Sequence, residues 1–306
     1  MRLQLGINTC CAVKRWPRPE DWAPVVRDRL DLRLVQHSLD LVDIATSGQR
    51  AQAQALALSE AVAEHGLELH STFTGLAAYS ANLLLAPAAA DREAASDWYR
   101  TVIHFTAQAG ARATGGHVGG FSVTDWREPA RRTALWSELR ASLAALAVDA
   151  RGAGLEYLLV ENLAVAREPS TMAMIGELLD DGDAERVPIR LCLDVGHMCV
   201  AGTSGPDRDP YAWLRSLGAS APVIQLQQSD ADGDHHWPFT NRYNAIGRIS
   251  ADRVIDALGE GGVEESALVL EVIPPFEQED DTVLDDLAAS VDYWREALTR
   301  HGVHAD

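Results

Sequence analysis

Lysine is nearly absent from this chain: of its 26 basic residues one, Lys14, is lysine and the other 25 are arginine. Positive charge is short altogether, with 45 acidic residues against those 26 and a formal net charge of −19. Nucleic-acid surfaces work through clustered Lys and Arg that displace counterions from phosphates. No such cluster is present, which excludes nucleic acid and leaves a small molecule as the expected partner. Cysteine is scarce too. Cys10, Cys11, Cys192 and Cys199 have neither the C-x-x-C spacing of zinc and redox sites nor the density of a disulfide scaffold, and read as reduced, mostly structural thiols. No apolar run approaches the roughly 20 residues of a membrane span. The N-terminus, Met1-Arg2-Leu3-Gln4-Leu5-Gly6, runs directly into a strand pattern and shows no secretory leader. A cytoplasmic location without a membrane partner is expected.

Hydrophobic residues make up 47% of the 306, enough for a large core. The segment IRLCLDVGH, Ile189 to His197, is a continuous apolar run that ends abruptly in acid and imidazole. Such runs mark strands buried on both faces, the signature of a parallel sheet. Two others share this form, LEYLLVEN ending at Glu161 and ALVLEV ending at Glu271. Strand-like stretches alternate with helical ones throughout. The strands are expected at Leu3–Thr9, Leu34–Leu39, Leu67–Ser71, Ala111–His117, Leu155–Glu161, Ile189–Asp194, Val223–Gln228 and Ala267–Val272. Helical spacing is clearest in Leu135, Leu139, Leu143 and Leu146, and in Val283, Leu284, Leu287, Val291, Trp294 and Leu298. A helix after strand five is expected to be capped by Ser170. In GGHVGG, residues 115–120, the glycines imply backbone passing close to a ligand or a neighbour. Eight strand-then-helix units predict a single (β/α)8 barrel spanning 1–306. A doubly wound open sheet is the alternative, but no G-x-G-x-x-G follows the first strand.

In a (β/α)8 barrel the site lies at the C-terminal ends of the strands. Glu161, Asp194 and Glu271 fall there, and three carboxylates in one mouth repel unless protons or a cation intervene. A divalent ion with oxygen ligands, Mn²⁺ or Mg²⁺, resolves the conflict. Lys14, just past the first strand, reads either as a site residue or as a surface residue kept by chance; only lysine readily gives up its proton. His70 and His117, placed at the ends of strands three and four, line the pocket or pack. Trp16 and Trp237, in loops on the same face, cover a sugar ring or pack.

On VEN (160–162), LDVGH (193–197), IQLQQSD (224–230) and LEV (270–272), the chain resembles the xylose isomerase-like (β/α)8 superfamily of sugar isomerases and epimerases, which includes the type IV apurinic endonucleases. The resemblance implies that Glu161, Asp194 and Glu271 bind a divalent metal, Mn²⁺ above Mg²⁺ or Co²⁺, and that His197 touches a substrate oxygen. Two positions depart from the pattern. Gln225 stands where the fourth ligand is usually His; its carbonyl oxygen suits a hard cation and not zinc. Arg167 stands where epimerases often have a second Glu, and its planar fork matches a substrate carboxylate or phosphate. Asp234-x-His236 matches the spacing that holds further zinc in the endonucleases, and His236 is also a candidate substrate contact.

The chemistry so implied is proton abstraction next to a carbonyl of a small sugar, keto-sugar or sugar phosphate, with Glu161 and Glu271 as base and acid. Isomerisation or epimerisation is the leading outcome. A lyase or decarboxylase acting on a 3-keto sugar or oxo-sugar acid is the alternative, motivated by Arg167 and Gln225. A sugar-binding barrel without turnover is a third. Barrels of this family associate into homodimers or homotetramers.

Overall fold

The computed structural model describes residues 1–42 and 48–303. Eight strands, β1 (Arg2–Asn8), β2 (Leu34–Ser38), β3 (Glu68–Phe73), β4 (Ala113–Gly116), β5 (Tyr157–Glu161), β6 (Ile189–Asp194), β7 (Val223–Leu226) and β8 (Glu265–Leu270), pair in chain order, all in parallel. β8 pairs back onto β1 and closes the barrel.

Period two decides what each strand contributes. Leu3, Leu5 and Ile7, Leu191 and Leu193, Ile224 and Leu226, and Leu268 and Leu270 face outward into the layer beneath the helices. Leu34, Phe73, Ala113, Leu159, Cys192, Val223, Ala267 and Val269 form a separate apolar plug inside the barrel. One step of the same parity further along the strands come Gln36, Glu161, Asp194, Gln225 and Glu271, all buried. The polar layer thus rests on a packed floor at the C-terminal mouth.

Helices cover the outside. α1 (Pro19–Pro24) opens with proline at its first position and continues through a wider turn to Arg29. α2 (Gly48–Glu64), the short α3 (Gly75–Ala78) and α4 (Ala89–Ala109) follow, then α5 (Val123–Arg127) and α6 (Pro129–Ala153). α7 (Met172–Leu178), α8 (Pro210–Leu217), the single turn α9 (Asn241–Asn244), α10 (Ala251–Glu260) and α11 (Asp280–Arg300) complete the ring. Among the described residues no helix is long and apolar enough to cross a membrane.

Three local expectations change. The cap of α7 is Thr171, whose hydroxyl accepts the Met174 N–H at 3.2 Å, and not Ser170. β3 runs on to Phe73, so His70 lies in mid-strand, at an irregularity in the pairing with β2. β4 is only four residues long. Gly115 (φ 152°) has no room for a side chain, since a Cβ there would stand 1.9 Å from the Leu159 carbonyl oxygen. The close approach implied by GGHVGG is to the neighbouring strand.

Candidate active site

Glu161 ends β5, Asp194 ends β6, Gln225 lies within β7 and Glu271 directly follows β8. The two glutamates, Asp194 and Gln225 are at most 4% exposed. One carboxylate oxygen from each of Glu161, Asp194 and Glu271 lies within 4.8 Å of the others.

Their hydrogen bonds are lopsided. Glu161 Oε2 accepts the Tyr79 hydroxyl at 2.5 Å, while its Oε1 has no partner. Glu271 Oε1 accepts from Asn8 Nδ2 at 3.0 Å and Gln225 Nε2 at 2.8 Å, while its Oε2 has none. Gln225 Oε1 is also buried and unpartnered. Asp194 is anchored by the amides of Gly196 (2.6 Å) and His197 (3.2 Å). A buried polar group without a partner costs on the order of 1–3 kcal/mol. Two such carboxylate oxygens and the Gln225 carbonyl oxygen, with the Asp194 carboxylate as the third acid, make an all-oxygen donor set of the kind that holds a hard divalent cation.

Charge tells the same story. Burial, and then Asp194 nearby, lifts the Glu161 carboxyl well above the usual carboxylate range, against the pull of His197 and Tyr79. Burial and the charges of Glu161 and Asp194 lift Glu271 in the same direction. His197 is raised as well, and for an imidazole that favours the charged form. Burial opposes its charge, but Asp194 and Asp234 hold the imidazolium well above its ordinary value. Its Nδ1 donates to the Asn162 carbonyl at 2.7 Å, which turns Nε2 to Asp234 Oδ2 at 3.3 Å.

Asp194, His197 and His236 form a second group within 4.8 Å. The Gln227 carboxamide stands among them, its Nε2 3.1 Å from Asp194 Oδ1, 2.7 Å from Asp234 Oδ1 and 3.2 Å from His236 Nε2. That places a donor where a second cation needs acceptors. Gly196 permits the approach, because a Cβ there would lie 2.3 Å from Gln227 Cδ.

A cavity of about 250 Å³ opens above the carboxylates, with Tyr79, Asp234, His236 and Glu271 on its polar side and Phe73, Leu76 and Ile273 on its apolar side. His236 adopts a left-handed backbone (φ 49°) and donates its N–H to Gln227 Oε1 at 2.7 Å. Trp237 bounds an adjoining cleft, stacked on His235 with ring centres 3.8 Å apart. His117 lies behind Tyr79, stacked at 4.8 Å. Burial lowers its pKa to about 4, so it is neutral.

Other sequence candidates lie elsewhere. His70 is not a pocket residue: its ring reaches the Tyr157 hydroxyl (3.2 Å) at the start of β5, toward the opposite end of the barrel, and burial lowers its pKa to about 3. Arg167 is engaged with the chain itself, Nη1 donating to the Phe121 carbonyl at 2.6 Å. Its neighbour Glu168 is the acid that comes near the site; burial raises its carboxyl, and His197 works against that rise. Trp16 packs half-buried against the core. Lys14 is exposed, in a left-handed turn (φ 65°), its Nζ 4.0 Å above the centre of the Phe276 ring. No carboxylate among the described residues pairs with it.

Tyr79, Asn8, Gln36, Gln227 and Glu168 were not among the sequence candidates. For the amides a signal existed: polar residues at inward positions of apolar strands, as in GIN and VQHS. Tyr79 had only its place in the long loop after β3.

Residues 33–298 match the family described as xylose isomerase-like TIM barrel. D-Erythrulose 1-phosphate 3-epimerase of Brucella abortus (strain 2308) is 30% identical over 299 residues, 96% of each chain. A Rhodospirillum rubrum protein named for xylose isomerase superposes with a TM-score of 0.89 at 33% identity, over 96% of this chain and 99% of that one. D-Psicose 3-epimerase from Clostridium cellulolyticum H10 shares the fold, with a TM-score of 0.68 at 15% identity over 96% and 99% of the two chains.

Proposed function

The chain belongs to the xylose isomerase-like TIM-barrel family, and on that footing we propose that it is a metal-dependent sugar epimerase that inverts the carbon next to the carbonyl of a small ketose or ketose phosphate. The observation that carries the proposal is the pair Glu161 and Glu271. Each has one carboxylate oxygen held by hydrogen bonds and the other buried without any, facing a histidine nitrogen at 3.6 Å (His197 to Glu161) or 3.7 Å (His236 to Glu271). Epimerisation removes a proton from one face of a carbon and returns one to the other, so it needs an acid–base group on each side. Two separately held carboxyls on β5 and β8 supply them.

Glu161, Asp194, Gln225 and Glu271 would hold the cation, Mn²⁺ by the all-oxygen donor set, with Mg²⁺ or Co²⁺ as alternatives. When bound, it polarises the substrate carbonyl and offsets the negative charge that develops on its oxygen. Tyr79 fixes the rotamer of Glu161. Asn8 and Gln225 fix that of Glu271 on the other wall. His197, charged and locked by Asn162, is placed to hold a substrate oxygen, and His236 and Trp237 border the space for the sugar.

Similarity to an epimerase of a phosphorylated tetrulose supports a phosphorylated substrate, and Lys14, exposed in the turn after β1, is the cation we assign to its phosphate. Arg167 and Gln225, which motivated a lyase, have other employment: one braces a loop and the other offers a ligand oxygen. The enzyme is proposed to work as one barrel domain across 1–306 and as a homodimer or homotetramer. Its free, mostly buried thiols support a cytoplasmic setting.

The test is a panel of ketoses and ketose 1-phosphates, D-erythrulose 1-phosphate included, followed by NMR in deuterated water. Chelation should abolish epimer formation and Mn²⁺ should restore it, with deuterium entering beside the carbonyl. Glu271→Gln should still bind metal and lose that exchange. Full activity in the metal-free protein would overturn the proposal, and a product of different formula would point to the lyase.

A further inference from the structure

Asn8, Gln36 and Gln225 are three fully buried carboxamides on β1, β2 and β7. A carboxamide can be turned end for end with little change of shape, so its neighbours decide which end faces where. Here the decision starts at the backbone. Asn8 Oδ1 accepts the Cys10 N–H at 2.9 Å, and a backbone N–H cannot reverse. The Asn8 NH₂ therefore points inward, to Gln36 Oε1 at 2.9 Å and Glu271 Oε1 at 3.0 Å.

Gln36 must meet that donor with its oxygen, which sends its own NH₂ to Ser71 Oγ at 3.2 Å. The same Gln36 oxygen accepts from Gln225 Nε2 at 2.9 Å, and Gln225 Nε2 also donates to Glu271 Oε1 at 2.8 Å. Both Gln225 N–H bonds are then committed. What remains is Oε1, buried and without a partner in the protein. Behind Ser71 the chain continues through His70 Nδ1, 3.1 Å from Ser71 Oγ, to the Tyr157 hydroxyl.

We infer that Asn8, Gln36 and Ser71 are positioning residues: a one-way amide relay, set by the Cys10 N–H, that holds Gln225 with its oxygen toward the cation and so makes a glutamine serve as the fourth ligand. The inference rests on the metal site proposed above. Without the relay, Gln225 can turn its NH₂ into the site and present a donor to a cation.

The test measures Mn²⁺ affinity directly, by the paramagnetic resonance of free Mn²⁺ in equilibrium with the metal-stripped protein, with no substrate present. Gln36→Met keeps length and burial but removes both hydrogen-bonding ends, and should weaken Mn²⁺ binding about tenfold or more, the usual cost of losing an outer-shell partner. Gln36→Glu restores the acceptor for Asn8 and Gln225 and should recover affinity to within about threefold of wild type. Ser71→Ala removes the acceptor for the Gln36 NH₂ with minimal loss of volume and should weaken binding several-fold, which keeps the inference testable should Gln36→Met fail to fold. Gln36→Met binding as tightly as wild type overturns the relay, as does Gln36→Glu binding as weakly as a folded Gln36→Met, or Ser71→Ala binding unchanged. Wild type that takes no Mn²⁺ at all defeats the metal site and the relay with it. Wild type that binds alongside an unaffected Gln36→Met defeats the relay alone.

Discussion

Removing the cation should make the folded protein less stable as pH rises, and Glu161 sets the expected size of the effect. Burial, with the charge of Asp194 beside it, raises this carboxyl from an ordinary 4.5 to about 8. Between those values the folded chain keeps a proton that the unfolded chain has released. The native state then binds more protons, and stability falls with pH by about 1.4 kcal/mol per pH unit for one such group. From pH 5.5 to 7.5 Glu161 alone costs about 3 kcal/mol, a fall in Tm of roughly 5 °C or more. Glu271, raised for the same reasons, acts in the same direction. The assay is thermal unfolding in chelator against pH, for wild type and Glu161→Gln. The general repulsion of a chain with net charge −19 affects both proteins, so the difference between their slopes reports the interacting pair Glu161 and Glu271. Mn²⁺ favours the ionised form and should stabilise more strongly at higher pH. Parallel slopes for the two proteins, or a Mn²⁺ stabilisation that shrinks as pH rises, would refute the reasoning.

Two further changes follow from single contacts. Tyr79→Phe removes the donor to Glu161 Oε2 and with it a bond that lowers this carboxyl's pKa. A hydrogen bond to a charged group is worth about 1.5–3 kcal/mol, so kcat/KM should fall by roughly tenfold or more and the acidic limb of its pH profile should move upward; an unshifted limb argues against the contact. Lys14→Met should raise KM for a phosphorylated ketose well above its effect on kcat or on Mn²⁺ affinity, and should leave an unphosphorylated ketose unaffected. Equal kinetics on both substrates would return Lys14 to the surface.

The fold was legible because a parallel barrel writes most of its strands as near-continuous apolar runs, and the glycine-rich β4 could be placed by the alternation of strands with helices. Glu161, Asp194 and Glu271 were legible for the same reason: a charge at the end of a run buried on both faces has no apolar explanation. His70 misled because the strand was ended too early. The run from Leu67 looked complete at Ser71, whereas β3 continues through Thr72 and Phe73, with the Thr72 hydroxyl bonded to Thr106 and Thr114 on the helix side. Two residues of strand moved His70 from the mouth to the middle. Arg167 misled by one position, because what reaches the site from a loop depends on its path, and that path is set by the mutual bonds of Arg167 and Phe121. Tyr79 was hidden for a similar reason, since nothing in the loop after β3 announces that its ring will settle between His117 and Glu161.

Gln225 and Gln227 are two residues apart and face the same interior, yet the structure uses them in opposite senses. Gln225 spends its nitrogen on Gln36 and Glu271 and has its oxygen left over. Gln227 spends its oxygen on the His236 N–H and the Ser229 hydroxyl, leaving its nitrogen for Asp194, Asp234 and His236. The first sense suits the proposed set of cation ligands; the second puts a donor into the neighbouring cluster of acids and histidines. Imidazole at both positions would present a lone pair to each cluster and make two metal centres competitive. With glutamine at both, the hydrogen-bond networks around them separate the roles: one pocket keeps oxygens for the proposed cation, while in the other an amide bonds the carboxylates and the His197 imidazolium offsets their charge. A single hard cation beside a charged His197 is the arrangement that the proposed epimerisation calls for.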